Sequence, residues 1–366
     1  MFLCGQKCNA DYFSRSTLRE RRKRLVETVY SCSQRIGFKK EEIVLMRFES
    51  KFMRISCAIV FCVFTFCYLY FYQADILVLT QHLASNGQTH YVPWLGAILI
   101  TLVLQLCQIG VNSLLKLSKR GYALTYFPSV LLLTILTAIS SDVTTSITFG
   151  VWAWLAPLLL ILYVVFVLYV RRYEPYEPEV RGVGFISQLL WINLGTMFAF
   201  FLFVGILSNS DKHFHEKVKV EVLVHNHKYR NALRTIQQMQ TVDSSTTMLT
   251  IYSVARIGHL SDSLYEYHLV GGSDVLRPGK VHSLLLPDSV INKATKNSIH
   301  YQLTGFLLDR NLPKFTRFVT KYYPVDSIRP RYYAEAYKLH TLLSKGLTPK
   351  PPYAKGSYTH YYFVKR

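Results

Sequence analysis

The sequence predicts an all-α membrane protein, in which a bundle of five transmembrane helices is followed by a soluble domain of irregular helical hairpins. Three observations lead to this fold class. Residues 185–208 carry no charged side chain and exceed the roughly 20 residues that a helix needs to cross a bilayer. Similar apolar runs precede this stretch, and the chain after it is polar. Half of the 366 residues are apolar, enough for a membrane bundle and one modest soluble domain.

The chain divides into four regions on this basis. We expect a basic N-terminal segment at 1–51, a membrane bundle at 52–208, a soluble helical domain at 209–348 and an aromatic tail at 349–366. The five membrane spans are expected at about 52–72, 93–115, 122–140, 149–170 and 185–208.

Basic residues mark alternate loops of the predicted bundle. Lys116, Lys119 and Arg120 follow the second span, and Arg171 and Arg172 follow the fourth. The loops at 73–92 and 141–148 contain no lysine or arginine. Cytoplasmic loops retain positive charge, so this alternation predicts a cytoplasmic N-terminus and a C-terminal domain on the opposite side of the membrane.

The net charge of +20 lies mainly outside the bundle. Residues 1–54 hold 13 basic and 6 acidic side chains, residues 55–208 hold 6 and 5, and residues 209–366 hold 23 and 11. A basic surface attracts anionic lipid or polyanions, although surplus surface lysine is the simpler explanation. The basic N-terminal segment is explained by membrane orientation, and nucleic acid is not an expected partner.

The soluble region predicts helices joined by short turns. Apolar residues recur at helical spacing, and three polar turns each end in one large apolar residue before a new helix. These apolar residues are Tyr229, Leu260 and Leu312. Their uneven spacing indicates an irregular array of helical hairpins instead of a strict repeat. Such arrays present extended surfaces to peptides or proteins, so the predicted function is a binding scaffold without catalysis.

Exposed aromatic side chains are the predicted partner contacts, because tyrosine combines a large contact area with a polar group. The alternative for each of them is packing in the core of the domain. The candidates are Tyr322, Tyr323, Tyr332, Tyr333, Tyr337, Tyr361 and Tyr362.

Cofactor and metal sites are not expected. All seven cysteines lie at or before Cys107, so disulfides do not stabilise the soluble domain. The histidines at 213, 215, 225 and 227, with Glu216, include the residue types of a transition-metal site. On one helix, however, His215 and His225 would lie about 15 Å apart, so we interpret these residues as solvated.

Two other classes of function remain open. Asp75 and Asp142 lie on the two loops without basic residues, where they would act as base or metal ligands in an enzyme resembling membrane glycosyltransferases. Gln105, Gln108 and Asn112 share one face of the second span, where they would line a polar route in a transporter component. The alternative for this stripe is hydrogen bonding to a neighbouring helix.

The chain from 172 to 366 resembles a family of uncharacterised bacterial multi-pass inner-membrane proteins with a tetratricopeptide-like periplasmic tail. The resemblance implies a bacterial inner membrane, a periplasmic soluble domain and no assigned activity or catalytic residue. Family members are longer, with more N-terminal spans, so the span count is not taken from them. The segments that carry the resemblance are R-Y-E-P at 172–175, L-L-W-I-N at 189–193, S-N-S-D-x-x-F-H at 208–215, L-Y-E-Y at 264–267, R-P-R-Y-Y-A-E-A-Y at 329–337 and S-Y-T-H-Y-Y-F at 357–363.

Overall fold

The computed structural model describes residue 48 and residues 50–140, 150–173, 187–291, 298–324 and 327–364. Within these ranges the regular secondary structure is helical, with no strand, which confirms the predicted all-α class. Most of the basic N-terminal segment and the predicted loop residue Asp142 lie outside the described residues.

Four helices of the described chain are long and apolar enough to cross a bilayer. They are α1 (Ser50–Tyr72), α3 (Pro93–Leu115), α5 (Trp152–Tyr173) and α6 (Gln188–Leu207). The predicted span at 122–140 is shorter, because it consists of a 3₁₀ turn at Tyr122–Tyr126 followed by α4 (Phe127–Thr137). The coarse prediction of a membrane protein is therefore supported by four candidate spans, with one shorter apolar segment among them.

The apolar helices expose many large apolar side chains on their outer faces. On α3, Leu102, Val103 and Leu106 are exposed, whereas Ala97 and Gln108 are buried. A protein in water avoids such an outer face, but lipid tails solvate it. Helix α4 lies at the centre of the bundle, since it packs against α3, α5 and α6.

Polar contacts join the ends of the short central segment to α6. The side chain of Asn193 accepts a hydrogen bond from the Ala123 amide at 2.7 Å, near the start of both elements. Beyond their other ends, the Asn209 amide donates to the Thr137 carbonyl at 3.2 Å. The segment at 122–137 therefore runs parallel to α6. Arg171, at the end of α5, donates to the Leu115 carbonyl at the end of α3.

The C-terminal part folds as consecutive helices around one core. Buried apolar side chains, mainly leucines, valines and tyrosines, from each helix of this part form that core. Helices that are neighbours in the sequence pack against each other. The helices are α7 (Lys212–His225), α8 (Tyr229–Gln238), α9 (Ser244–Arg256), α10 (Leu260–Ser263), α11 (Ile299–Leu308), α12 (Leu312–Tyr322), α13 (Arg331–Ser344) and α14 (Tyr358–Val364). A further helix, α2 (Ala74–Ala84), lies between α1 and α3.

One turn geometry recurs between these helices. Helices α8, α10 and α12 begin at Tyr229, Leu260 and Leu312, the residues at which the sequence predicts new helices. Two positions before each of them, a residue adopts the left-handed conformation: His227 with φ of 58°, Gly258 with 79° and Arg310 with 58°. In each turn the residue after it donates its amide to a carbonyl five residues earlier, as in a Schellman motif. The same turn geometry thus ends one helix and precedes the next at three places in the chain.

Candidate site at the junction of the membrane helices and the extramembrane domain

Helix α2 belongs to the connection between two candidate spans, yet it packs against the extramembrane helix α7. Ile76 and Leu79 of α2 are fully buried and contact Phe214 and neighbouring valines of α7. Their spacing of three residues places them on one helical face. Ile139, just beyond α4, joins the same small core. The two halves of the molecule are therefore connected by a shared apolar core as well as by the chain.

Glu221 fixes an irregular segment of the chain onto α7. Its side chain is fully buried and accepts hydrogen bonds from the Ser283 hydroxyl and, at 3.0 Å, from the Leu284 amide. Burial raises the pKa of Glu221, and the hydrogen bonds from Ser283 and Leu284 and the charge of Lys217 oppose this rise. A buried carboxylate without partners is costly, so these donors hold residues 280–288 in place.

An open cleft of about 1400 Å³ lies between α2, α7 and the segment that Glu221 holds; we call it the junction cleft. Its volume exceeds the roughly 300–1,000 Å³ of ordinary small-molecule pockets. Its walls are the end of α2, one face of α7, the start of α9 and residues 280–288 with Val290. Apolar side chains such as Leu83 and Leu286 alternate there with polar ones such as Asn86 and Ser244. The cleft therefore suits an extended, partly polar occupant.

The junction cleft is separate from the membrane-facing side of α2. A second cavity, of about 380 Å³, lies against Leu77, Ile100 and Leu136 on the opposite face of α2. Among the described residues, the two cavities share no lining residue, and no residue of the junction cleft belongs to a candidate span.

Basic groups outnumber acidic ones in the cleft. Lys217 pairs with Asp243 at 2.8 Å, and His282 pairs with Asp288 at 2.6 Å. Partial burial pushes the pKa of Asp243 upward, but hydrogen bonds from Lys217 and Thr246 outweigh it and hold this pKa well below its usual range. Lys280 faces the same cleft, and within the described chain no ion pair joins it to an acidic residue.

Three histidines from different elements lie close together, and two of them, His82 and His225, line the cleft. The His225 ring, at the end of α7, lies 5.8 Å from the His82 ring of α2 and 6.1 Å from the His90 ring before α3. Burial lowers the pKa of His82, and His225 and His90 lower it further, because protonated imidazoles repel each other. His227 also lines the cleft and hydrogen bonds to the Tyr229 hydroxyl at 2.8 Å.

The histidines singled out in the sequence do not form one cluster. His215 bonds to the Asn209 carbonyl at 2.9 Å and its ring lies 4.8 Å from that of Tyr72. His225 instead faces the junction cleft. Among the described residues, no group of three or more histidine, cysteine or acidic side chains is arranged to hold a metal ion.

The seven candidate tyrosines separate into two groups. Tyr332, Tyr333 and Tyr361 are buried in the core, where the Tyr332 and Tyr361 rings lie 4.8 Å and 4.9 Å from the Tyr265 ring. These three are therefore unavailable as partner contacts in this structure, because packing in the core occupies their faces. Tyr322 is exposed, and the half-buried members of the set are Tyr323, Tyr337 and Tyr362. None of the seven lines the junction cleft.

The polar stripe of α3 bonds within the bundle. Gln108 is buried, and its side-chain nitrogen donates to Thr125 at 2.8 Å and to the Tyr122 hydroxyl at 3.2 Å. Gln105 donates to Gln108 at 3.1 Å, and Asn112 is half-buried. The stripe therefore connects α3 to the central segment, as the structural alternative predicts.

The predicted pair of acidic loop residues is described only in part. Asp75, on α2, is half-buried; burial raises its pKa, and the nearby charges of Lys219 and His215 oppose the rise. Asp142 lies outside the described residues, so their proximity stays a prediction.

Sequence reasoning missed Glu221, His82 and His90. Glu221 alternates with lysines and valines at 217–224, which resembles a solvated face. A usable signal was present, however: the four valines of that run lie on two opposite sides of a helix, so both sides have to be covered for the valines to be buried. His82 and His90 carry no local signal, because their partner His225 is distant in the sequence.

Searches against protein-family models, curated proteins and solved structures found no match to this chain. The resemblance to bacterial inner-membrane proteins therefore stays a prediction. Function has to be inferred from the junction itself.

Proposed function

We propose that the protein is a multi-pass membrane protein whose extramembrane helical domain, together with α2, binds an extended segment of a partner protein without catalysis. The observation that carries this proposal is the junction cleft, which is large, mixed in polarity and open to water. Its walls come from α2 and from the domain, so an occupant would contact both at the same time.

Five membrane crossings are part of this proposal. The 3₁₀ turn and α4 together extend over roughly 26 Å, close to the hydrocarbon thickness of about 30 Å. The contacts of Ala123 with Asn193 and of Thr137 with Asn209 support a segment that is as long as its neighbour α6. A short central helix surrounded by other helices needs no lipid-facing surface of its own, which explains its polar, buried residues.

The orientation follows from the crossings and the loop charges. Five crossings place α2 and the extramembrane domain on one side and the basic loops after α3 and α5 on the other. The packing of α2 on α7 supports this arrangement. We place the basic loops and the N-terminus in the cytoplasm and, for a bacterial inner membrane, the domain in the periplasm.

We further propose that the domain is an irregular array of tetratricopeptide-like helical hairpins. The recurring left-handed turn at His227, Gly258 and Arg310 supports this proposal, as does the packing of neighbouring helices.

Topology is tested with single cysteines in a variant whose native cysteines are replaced by serine. Lys345 and Lys119, both exposed, lie on opposite sides in the proposed arrangement. We expect a membrane-impermeant thiol reagent to label Lys345→Cys in cells permeable only at the outer membrane, and Lys119→Cys only after inner-membrane lysis. Labelling of both variants under the same condition contradicts five crossings.

Binding is tested by selecting peptides from a random library on the full-length protein in detergent. We expect selected peptides to bind the wild type and to lose affinity by about tenfold or more when Asn86→Trp or Ser244→Trp fills the cleft. Lys345→Trp, on an exposed surface, is the matched control. If Tyr322→Ala lowers the affinity for the peptides and the cleft variants do not, the binding surface is the one around Tyr322. Failure to select any peptide would contradict the proposal.

A further inference from the structure

We infer that the junction cleft recognises an acidic peptide segment, through Lys280 and the histidines His82, His225 and His227. This inference rests on the proposed binding function and adds the chemical class of the occupant. It predicts that binding strengthens as pH falls, because the recognising imidazoles gain charge.

The charges within the cleft lead to this class of ligand. Both acidic residues of the lining are already paired: Asp243 with Lys217, and Asp288 with His282. The groups that face the cleft without an acidic partner among the described residues are Lys280, His82, His225 and His227. A carboxylate that enters would supply the counter-charge that the lining lacks.

The histidine end is arranged to respond to such a carboxylate. The centre of the His225 ring lies 5.8 Å from that of the His82 ring and 6.1 Å from that of the His90 ring. Two protonated rings at this distance oppose each other, and an anion between them removes the opposition. The other charged or titratable groups of the domain that line the cleft include His227 and the paired Lys217 and Asp243, whereas Asp75 lies at the far end of α2 and does not line the cleft.

Several observations favour a peptide over other anions. A cleft of about 1400 Å³ is far larger than a phosphate ion, and its leucines suit apolar side chains between acidic ones. It is closed off from the membrane-facing cavity by α2, which disfavours a lipid headgroup with attached chains. The N-terminal segment of this chain does not complement it, since residues 1–54 are themselves basic. The surplus of 23 basic over 11 acidic residues in 209–366 attracts acidic partners over a longer range.

The test uses fluorescent peptides of equal length that alternate serine with glutamate, glutamine or lysine. Binding to the full-length protein in detergent is measured by anisotropy at about pH 7.5 and about pH 5.5, on either side of the imidazole pKa. The variants are Lys280→Gln and the double variant His82→Gln/His225→Gln. His259→Gln, at an exposed histidine outside the cleft, is the matched control.

We expect the glutamate peptide to bind about threefold to tenfold more tightly than the glutamine peptide at about pH 7.5, and the ratio to grow at about pH 5.5. Lys280→Gln should reduce the ratio at both pH values, and the double histidine variant should remove only its growth in acid. Equal binding of the glutamate and glutamine peptides overturns the acidic class but leaves peptide binding intact. Vesicles containing phosphatidylglycerol that bind while the glutamate peptide does not would identify a lipid occupant and overturn the inference.

Discussion

The membrane bundle and the extramembrane domain differ in how their helices are held together. In the bundle, hydrogen bonds between elements add to an apolar core: Gln108 donates to Thr125, Asn193 accepts from the Ala123 amide, and Ser129 donates to the Leu104 carbonyl. In the domain, the interior is a continuous set of aliphatic residues and tyrosines. Lipid already solvates apolar side chains, so packing and hydrogen bonds hold the bundle together, whereas apolar burial drives the folding of the domain.

The junction between the two regions contains both kinds of contact, apolar packing and buried hydrogen bonds. Ile76 and Leu79 pack as in a water-soluble core, and Glu221 next to them acts as a buried hydrogen-bond acceptor. The comparison therefore predicts a ranking of substitutions, with the largest losses in the domain core and smaller ones at the polar contacts.

Phe315→Ala should cause the largest loss. Phe315 is fully buried on α12, and its removal leaves a cavity that costs about 3–5 kcal/mol. We expect faster amide hydrogen exchange across α11, α12 and α13 in the full-length protein.

Leu106→Ala on the outer face of α3 is the matched change in the bundle. Leu106 is 66% exposed, so its loss should alter stability by no more than about 0.5 kcal/mol. A cost comparable to that of Phe315→Ala would mean that protein, and not lipid, covers this face.

Glu221→Ala should cause the second-largest loss. It leaves the buried Leu284 amide and the Ser283 hydroxyl without their acceptor, at a cost of about 2–3 kcal/mol. Exchange of the Leu284 amide should accelerate most. Glu221→Gln keeps a carbonyl acceptor and should cost less. Glu216→Ala, which removes a partly exposed ion pair with Lys212, is the control and should cost less than about 0.5 kcal/mol. Equal effects of the two alanine variants would contradict the anchoring role of Glu221.

The sequence predicts local features of this fold well. The starts of α8, α10 and α12 follow from their polar turns, and the long apolar runs follow from bilayer thickness. The sequence does not predict which side chains meet across the chain. The tyrosine-rich segments read equally well as surface or core, and only the fold distinguishes Tyr332 in the core from Tyr322 at the surface.

The junction cleft illustrates the same limit. Its residues His82 and His225 lie close together, with His90 beside His225, and no spacing rule relates positions so far apart. Helix α2 also lies within 73–92, which the sequence predicts as a loop, although the apolar residues of α2 at 76, 79 and 83 have helical spacing.

Asn193→Leu should cause a moderate loss in the bundle. Asn193 is fully buried; it accepts from the Ala123 amide and donates to the Lys119 carbonyl at 3.0 Å. Interhelical hydrogen bonds in membranes contribute about 1–2 kcal/mol at most, and leucine keeps the volume. The midpoint of unfolding in dodecyl sulfate should fall, while Thr196→Ala at an exposed position of α6 should have little effect. A loss as large as that of Phe315→Ala would break the contrast between the two regions.

Acidification should cause the smallest change, confined to the junction. The pKa of His82 is lowered in the folded protein, by burial and then by His225 and His90, so the folded state binds fewer protons than the unfolded state. The stability that depends on neutral His82 is therefore complete above its ordinary pKa of 6.5 and is lost as pH falls through the lowered value. On acidification, amides of α2 and the end of α7 should lose protection against hydrogen exchange, after correction for the change of the intrinsic exchange rate with pH. His82→Gln should reduce this loss, and His259→Gln should not.

The sign of this pH effect identifies its source. Burial raises the pKa values of Asp75 and Glu221, so these carboxyl groups make the folded state bind more protons, and acidification would then stabilise the junction. Above about pH 5, where Asp243 stays ionised in both states because its pKa is lowered by folding, loss of protection in acid points to the histidines, and a gain points to the carboxyl groups of Asp75 and Glu221. If an acidic peptide occupies the cleft, it should reverse the loss, because its carboxylates stabilise the protonated rings. The same exchange measurement with and without the glutamate peptide thus connects the stability of the junction to what the cleft binds.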